Sequence, residues 1–179
     1  AQAGAQVTLI TGQVSVSLPQ DANIHPVSAL TTEEMLAAVQ EAFVSADALI
    51  MAAAVADYRP VKVAEQKVKK GHDHELRTLE LTETVDILRT IAVAKRTNQL
   101  VVGFAAETEK LLDHAQEKLA SKHADMIVAN SVAGATGAFG RDDDQVTILQ
   151  KGKNPEKWPR LSKTAVAQRL VARLAEQLK

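Results

Sequence analysis

An uncharged run of small and aliphatic residues, 48–56, ends abruptly in Asp57-Tyr58-Arg59-Pro60. The run is too short to span a bilayer, which needs about 20 apolar residues, but it is typical of a strand buried on both faces of a parallel sheet. In open α/β sheets, ligands bind outside the carboxyl ends of such strands. We therefore expect Asp57 and Arg59 to lie at a binding site. A solvated loop after the strand is the alternative.

Short apolar runs alternate with longer amphipathic ones along the whole chain. This alternation predicts one α/β domain over residues 1–179, with a doubly wound, mostly parallel, Rossmann-like sheet and helices on both faces. Strands are predicted at 6–10, 24–28, 49–54, 76–81, 100–105, 126–129 and 145–150, and residues 158–161 are predicted to pair against the last of these. Helices are predicted after the capping box Thr31-Thr-Glu-Glu34, from Thr84 or Val85 through Lys95, over 109–122, and after Ser162.

Residues 1–4 resemble the last turn of a helix closed by Gly4. A doubly wound domain normally opens with a strand and a glycine-rich turn before that helix. We therefore expect the first strand and the glycine-rich turn, with its G-x-G-x-x-G fingerprint, to be missing from this chain. The strand at 49–54 should then have an open edge, without hydrogen bonding to the strand at 6–10.

The charge balance excludes a general attraction for polyanions. Lysine and arginine number 21 against 22 acidic residues, and the formal net charge is −1, so neither nucleic acid nor a membrane surface is an expected partner. The chain has no cysteine, which removes disulfides and thiolate chemistry. Because the first residues show no charged-then-apolar pattern, we expect a cytoplasmic protein.

Two further features suit an anionic ligand. Lys67, Lys69 and Lys70 lie together between Pro60 and Gly71, and ammonium groups without acidic neighbours suit phosphates; a solvated charge run is the alternative. On the helix predicted at 109–122, Lys118 lies beside the apolar arc and Lys122 within it. We therefore expect both side chains to reach along the sheet edge toward a ligand. Snorkelling of the two side chains past core contacts explains their positions nearly as well.

Other polar segments have simpler explanations. Gly103-Phe104-Ala-Ala-Glu107-Thr108 is a second buried strand ending in an acid, although Glu107 also suits the first turn of the next helix. Asp142-Asp-Asp144 is expected to form a tight turn. His72 and His74 lack a plausible third metal ligand.

Four motifs occur in the order and at the spacing of phosphopantothenoylcysteine synthetase. They are Ala52-Ala-Ala-Val-Ala-Asp57-Tyr-Arg59, Lys67-Val-Lys-Lys70, Val102-Gly-Phe104-Ala-Ala-Glu107-Thr108 and Ile127-Val-Ala-Asn130. The chain resembles this family from about Gly4 to its last helix. The resemblance implies ligation of 4′-phosphopantothenate to L-cysteine in coenzyme A biosynthesis, through an acyl cytidylate formed from CTP with Mg2+. It also implies a homodimer and a flavin-dependent decarboxylase fused to it or working with it.

The resemblance also implies roles for individual residues. Lys67 would neutralise charge at the transferring α-phosphate, and Asp57 is a possible metal ligand. Thr84 and Val85 replace the family's usual Asn-Pro before Asp86 and Ile87. The implied nucleotide-binding residues are Met51, Ala52, Ala53, Asp57, Lys67, Val85, Asp86, Ile87, Leu88, Phe104, Lys118 and Lys122.

Two other functions stay open at this point: an NAD(P)-binding reductase of similar fold, and a non-catalytic nucleotide-binding or interaction module. In the family, the missing amino-terminal segment carries an asparagine that processes the acyl intermediate. Whether this chain is active alone is therefore also open.

Overall fold

The computed structural model describes residues 1–66, 78–132 and 140–179. The helices are α1 (Thr32–Phe43), α2 (Ile87–Ala94), α3 (Leu111–Ser121) and α4 (Lys163–Gln177). The strands are β1 (Val7–Thr11), β2 (Ile24–Ser28), β3 (Ala48–Met51), β4 (Tyr58–Pro60), β5 (Leu81–Glu83), β6 (Leu100–Glu107), β7 (Met126–Ser131), β8 (Asp143–Asp144), β9 (Val146–Gln150), β10 (Glu156–Lys157) and β11 (Leu161–Ser162). Within these ranges, no helix combines the length and apolar character needed to cross a membrane.

The main sheet has five strands in the order β10-β9-β7-β6-β3. The β3–β6 and β6–β7 pairs are parallel, whereas β9 pairs antiparallel with both β7 and β10. The sheet is therefore mixed: β3, β6 and β7 run parallel, as predicted, and β9 runs in the opposite direction. The outer strands β9 and β10 are joined by a short turn, which cannot provide the long crossover that a parallel pair requires.

The strand β3 lies at one end of this sheet, and β1 pairs in parallel with β2 in a separate two-stranded sheet. The prediction that β3 would have an open edge and no ladder to β1 is confirmed for the described residues. β3 is also shorter than predicted, since it ends at Met51. β3 was expected to be buried on both faces, but Ile50 is 44% exposed. The reason is that α4, the helix on that face, covers β6, β7 and β9 but not β3.

Helices cover both faces of the main sheet, as predicted. One hydrophobic cluster joins α1, α2 and the buried Ala115 of α3 to Val101 and Ala105 of β6. The other joins α4 to Val102 of β6 and to Trp158. Successive residues of β6 thus enter opposite cores, as a buried strand requires.

The helix ends agree with local sequence signals. The Thr31 hydroxyl accepts a hydrogen bond from the Glu34 amide and the Glu34 carboxylate accepts one from the Thr31 amide, which completes the predicted capping box. The Ser162 hydroxyl caps α4, also as predicted. The second helix begins later than predicted, because Asp86 is its N-cap. The third begins at Leu111 after Lys110, which has a left-handed φ of 46°.

Several short strands differ from the predictions. In place of the strand predicted at 76–81, the structure has a strand at Leu81–Glu83. It pairs with Tyr58–Pro60, a segment that was expected to be a loop. Residues 76 and 77 lie outside the described residues. The strand predicted at 158–161 is replaced by β10, which pairs with β9, and by β11, which pairs with β8. The predicted turn at Asp142–Asp144 is wrong for Asp143 and Asp144, which form β8.

Candidate functional site

The chain reaches the surface as soon as β3 ends. Met51 is half-buried, and Ala52, Ala53 and Asp57 are exposed, so the backbone and the Asp57 carboxylate are open to a ligand. The Asp57 carbonyl accepts a hydrogen bond from the Thr84 amide at 2.9 Å. The Thr84 hydroxyl donates to the Ala56 carbonyl at 2.5 Å. These two bonds fix the loop after β3 against the segment that leads into α2.

Asp86 and Lys122, which the sequence assigns to the site separately, are brought into direct contact. Asp86 Oδ1 accepts the Arg89 amide at 3.0 Å and so caps α2. Asp86 Oδ2 accepts a hydrogen bond from Lys122 Nζ at 2.5 Å. Partial burial alone would raise the pKa of the Asp86 carboxyl, but the Lys122 ammonium and the Arg89 amide outweigh it, and the pKa is lowered. The carboxylate is therefore ionised and paired at neutral pH.

A glycine lets α2 approach the sheet at this point. Gly103 of β6 lies opposite Met51 of β3. A Cβ at Gly103 would lie 2.5 Å from Leu88 Cδ2 and 3.0 Å from Ile127 Cδ1, closer than unstrained contacts allow. Ile87 and Leu88 are both buried. Because Leu88 occupies the space above Gly103, the start of α2 and its cap Asp86 are held close to the carboxyl side of β3 and β6.

The remaining predicted site residues are placed less closely together. Val85 is exposed just before the cap. Lys118 is half-buried one helical turn before Lys122. Phe104 packs with the α4-side cluster, on the opposite face of β6 from Asp86, so its side chain is not brought to the Asp86–Lys122 contact. Lys67, Lys69 and Lys70 lie outside the described residues, as do His72 and His74.

Polar pairs that the sequence did not reveal lie at other strand ends. Glu107, at the end of β6, pairs with His114 Nδ1 of α3 at 3.1 Å. Asn130 Nδ2 of β7 donates to Asp144 Oδ2 of β8 at 2.9 Å. The exposed Arg59 pairs with Glu33 of α1 at 3.1 Å. The position of Asn130 directly after a buried strand could have identified it as a candidate. Its partner Asp144 lies too far along the chain to be found from sequence spacing.

The described residues contain no group of three or more histidine, cysteine or carboxylate side chains able to hold a metal ion. Asp57 is the first carboxylate along the chain after the end of β3, and it is exposed. A single carboxylate suits an ion that arrives with a ligand, because Mg2+ in nucleotide sites is commonly bound by one or two carboxylates together with phosphates and water.

Comparisons with known proteins agree with this fold. Residues 1–178 match the family model described as DNA/pantothenate metabolism flavoprotein C-terminal domain. The chain is 38% identical over 178 residues to the coenzyme A biosynthesis bifunctional protein CoaBC of Vibrio cholerae, covering 99% of this chain and 44% of that protein. The chain thus spans less than half the length of this curated relative.

Two solved structures extend the comparison. The crystal structure of the C-terminal domain of a CoaBC protein matches with a TM-score of 0.77 and 33% identity, covering 99% of this chain and 76% of that one. A histidine-to-alanine mutant of Cab2 in complex with phosphopantothenate-cysteine matches with a TM-score of 0.64 and 18% identity, covering 87% and 54%. The second likeness concerns the fold alone.

Proposed function

The chain belongs to the family of the DNA/pantothenate metabolism flavoprotein C-terminal domain, and from this premise we propose that it ligates 4′-phosphopantothenate to L-cysteine in coenzyme A biosynthesis. The observation that carries the proposal is the contact between Asp86 and Lys122 at the start of α2. This contact joins an ionised carboxylate to a cation two residues after Thr84, which is bonded to the open backbone after β3. It therefore supports a nucleotide site at this end of the sheet.

The proposed reaction has two steps. A carboxylate oxygen of 4′-phosphopantothenate attacks the α-phosphorus of CTP, and the bond to the bridging oxygen breaks to release pyrophosphate. The cysteine amine then attacks the acyl carbon of the resulting acyl cytidylate. CMP leaves with the bonding electrons, and the amine loses a proton as the amide forms. No side chain needs to form a covalent bond with either substrate.

The residue types suit the electrostatics of the first step. A carboxylate approaching a triphosphate brings negative charges together, so fixed cations must stabilise the transition state. Lys118 and Lys122 would supply positive charge to the nucleotide, and Lys67 would act at the α-phosphate. Phe104 would reach the nucleotide through its backbone, since its side chain packs toward α4.

In this proposal the backbone of Met51, Ala52 and Ala53 and the segment from Val85 to Leu88 form the rest of the nucleotide site. Ala52 and Ala53 are exposed, and α2 begins at Ile87. The backbone N–H groups of a first helical turn have no partner within the helix and favour anions. Because Thr84 ties the two segments together, a nucleotide could contact both without first moving them into place.

Mg2+ would reduce the negative charge of the triphosphate when bound. Asp57 fits this role as one exposed oxygen ligand after β3, with the phosphates and water supplying the others. The proposal therefore needs no dedicated metal cage within the described residues.

The open edge of β3 supports the expectation that a further strand and the glycine-rich turn belong beside it. We propose that a segment of this kind completes the site, that the enzyme is a homodimer, and that it is fused to or works with a flavin-dependent decarboxylase. The exposed apolar side chains of Tyr58, Leu79 and Leu81 around the β4–β5 hairpin support a second chain packing there, because apolar surface of this kind is often an interface.

Titration calorimetry with CTP, ATP and NADPH separates the candidate functions. Preference for CTP supports the ligase, binding of NADPH would indicate a reductase, and no binding would indicate an interaction module. Pyrophosphate release should then be assayed in the chain alone and in a form that also carries the upstream family segment with its glycine-rich loop.

The role of Lys67 has a sharper test. If it acts on the transferring phosphate, Lys67→Gln should reduce turnover far more than CTP affinity, because its contact strengthens as charge develops. Lys62→Gln is the matched control, because Lys62 is an exposed lysine shortly before Lys67 in the chain. Lost CTP binding with turnover preserved at saturation would make Lys67 a ground-state contact instead.

A further inference from the structure

A cavity of about 320 Å3 lies at the amino-terminal end of α3, whereas Lys122 follows the carboxyl-terminal end of that helix. Its walls are the first two residues of α3, the ends of β7 and β8, and the β9–β10 hairpin. The lining residues are Leu111, Leu112, Ser131, Asp144, Gln145, Thr147, Pro155, Lys157 and Arg160. None of them belongs to the nucleotide site proposed above.

Thr147 makes this cavity unusual. Thr147 is only 6% exposed, and it pairs with Ala129 of the core on the α3 side of the sheet. Within the described residues, its hydroxyl has no hydrogen-bond partner, although it lines the cavity. Among the described residues, no side-chain oxygen or nitrogen is both shielded from solvent and without a partner, so the Thr147 hydroxyl is reached by solvent through the cavity. The hydroxyl is therefore available to a ligand in the cavity.

The amino-terminal end of α3 faces the same space. Lys110 precedes the helix and provides no side-chain cap. The amides of Leu111 and Leu112 therefore have no intrahelical acceptor, and no acceptor for them occurs among the described parts of the chain. Amides in this position favour a negatively charged group.

The charges around the cavity have the matching sign. Lys157 is paired directly opposite Thr147 in the β9–β10 ladder, which brings their Cβ atoms to within roughly 4.5–5.5 Å on one face. Arg160 adds a second cation, although it also contacts Asp143 at 3.3 Å. The Asp144 carboxylate already accepts hydrogen bonds from Asn130 and from the Gln145 amide. Lys157 is thus the cation opposite Thr147, whereas Arg160 is engaged by Asp143 and the Asp144 carboxylate is satisfied by neutral donors.

We propose that this cavity binds a small molecule through an oxyanion group, held by the Thr147 hydroxyl, the Leu111 and Leu112 amides and the Lys157 ammonium. The volume lies at the low end of the range for ligand sites, about 300–1,000 Å3, so the ligand is compact. Leu112 and Pro155 supply apolar contact for its uncharged part. A phosphate ester and a carboxylate share this chemistry.

The test uses inorganic phosphate and acetate as probes, at one ionic strength set with chloride. Saturable shifts of the Leu111 and Leu112 amide resonances in NMR spectra are expected. Thr147→Val and Lys157→Gln should each weaken the affinity about threefold or more, the ratio expected for one net hydrogen bond. Tighter binding of phosphate would indicate a phosphate ester as the ligand, and tighter binding of acetate a carboxylate.

Two control variants make the result specific. Lys151→Gln, an exposed lysine at the β9–β10 turn, and Lys122→Ala, in the nucleotide site, should leave the affinity read at Leu111 unchanged. Thr147→Val should also unfold at a temperature close to that of the wild type and be stabilised less by the probe. Absence of saturable shifts with both probes, or equal affinities in the wild type, Thr147→Val and Lys157→Gln, would overturn the proposal.

Discussion

Replacing Asp86 by asparagine tests how much the contact with Lys122 stabilises the start of α2. Asparagine caps helices as well as aspartate does, so the bond to the Arg89 amide should remain. The amide group of the new side chain cannot neutralise the Lys122 ammonium. Asp86→Asn therefore removes the ion pair and leaves the cap in place.

The expected magnitude follows from the exposure of the pair. Each side chain is 33% exposed, which lies between a surface pair, worth about 0.2–1 kcal/mol, and a buried pair, whose disruption costs about 3–5 kcal/mol. We expect Asp86→Asn to lower the free energy of unfolding by about 1–2 kcal/mol. Asp86→Ala should lower it by about 1 kcal/mol more, because the cap is lost as well.

The same variant should change how stability depends on pH. The pKa of Asp86 is lowered in the folded state, so its contribution is present above the unfolded pKa and is lost as pH falls through the folded pKa. The difference between the wild type and Asp86→Asn should be constant near neutral pH and shrink below about pH 4, the range in which aspartate titrates.

Urea unfolding followed by circular dichroism, from pH 7 to pH 3, measures this difference. Lys122→Met, which keeps the unbranched stem, completes a double-mutant cycle with Asp86→Asn. The double variant should lose less stability than the sum of the single variants. Additive losses, or a difference that does not change with pH, would refute the assignment of the stabilisation to this ion pair.

Two further predictions concern the same site. Gly103→Ala should lower the free energy of unfolding by about 1–2 kcal/mol, because overpacking costs about 1–3 kcal/mol and replacing a strand glycine returns about 0.5–1 kcal/mol. Urea unfolding measures this change. An unchanged free energy of unfolding would show that Leu88 moves aside freely. Lys122→Ala should weaken CTP binding by about 1–3 kcal/mol, the scale of a charge-assisted hydrogen bond. Titration calorimetry measures this change, with Lys151→Ala as the control. Unchanged CTP affinity would show that Lys122 has a structural role alone.

The helices were predicted well because their signals are local. The Thr31 box and the Ser162 cap depend on residues within one turn, and both are present. The short strand pairs were not predicted because their partners are distant. Tyr58 pairs with Glu83, and Asp144 pairs with Leu161. These segments of two or three residues are too short to show the alternating hydrophobicity of a strand. Strand pairing of this kind is decided by the tertiary structure.

The candidate site was predicted as separate residues, not as an arrangement. Asp86 was recognised at a helix start and Lys122 on a helix face, but their contact depends on how closely α2 packs over Gly103. Nothing local in the sequence indicates that Leu88 occupies the space of the missing Cβ. The side chain of Phe104 lies on the opposite face of β6 from that of Gly103, because neighbouring side chains of a strand alternate between its two faces.

The hydrogen bonds of Thr84 connect two parts of the site that are far apart in the chain. The Thr84 amide and hydroxyl bind the Asp57 and Ala56 carbonyls, and Asp86 follows two residues later. A shift of the loop after β3 must therefore either break these bonds or move the cap of α2, and with it the Lys122 ammonium. Thr84 thus links the exposed backbone after β3 to the cation that we expect to face the nucleotide.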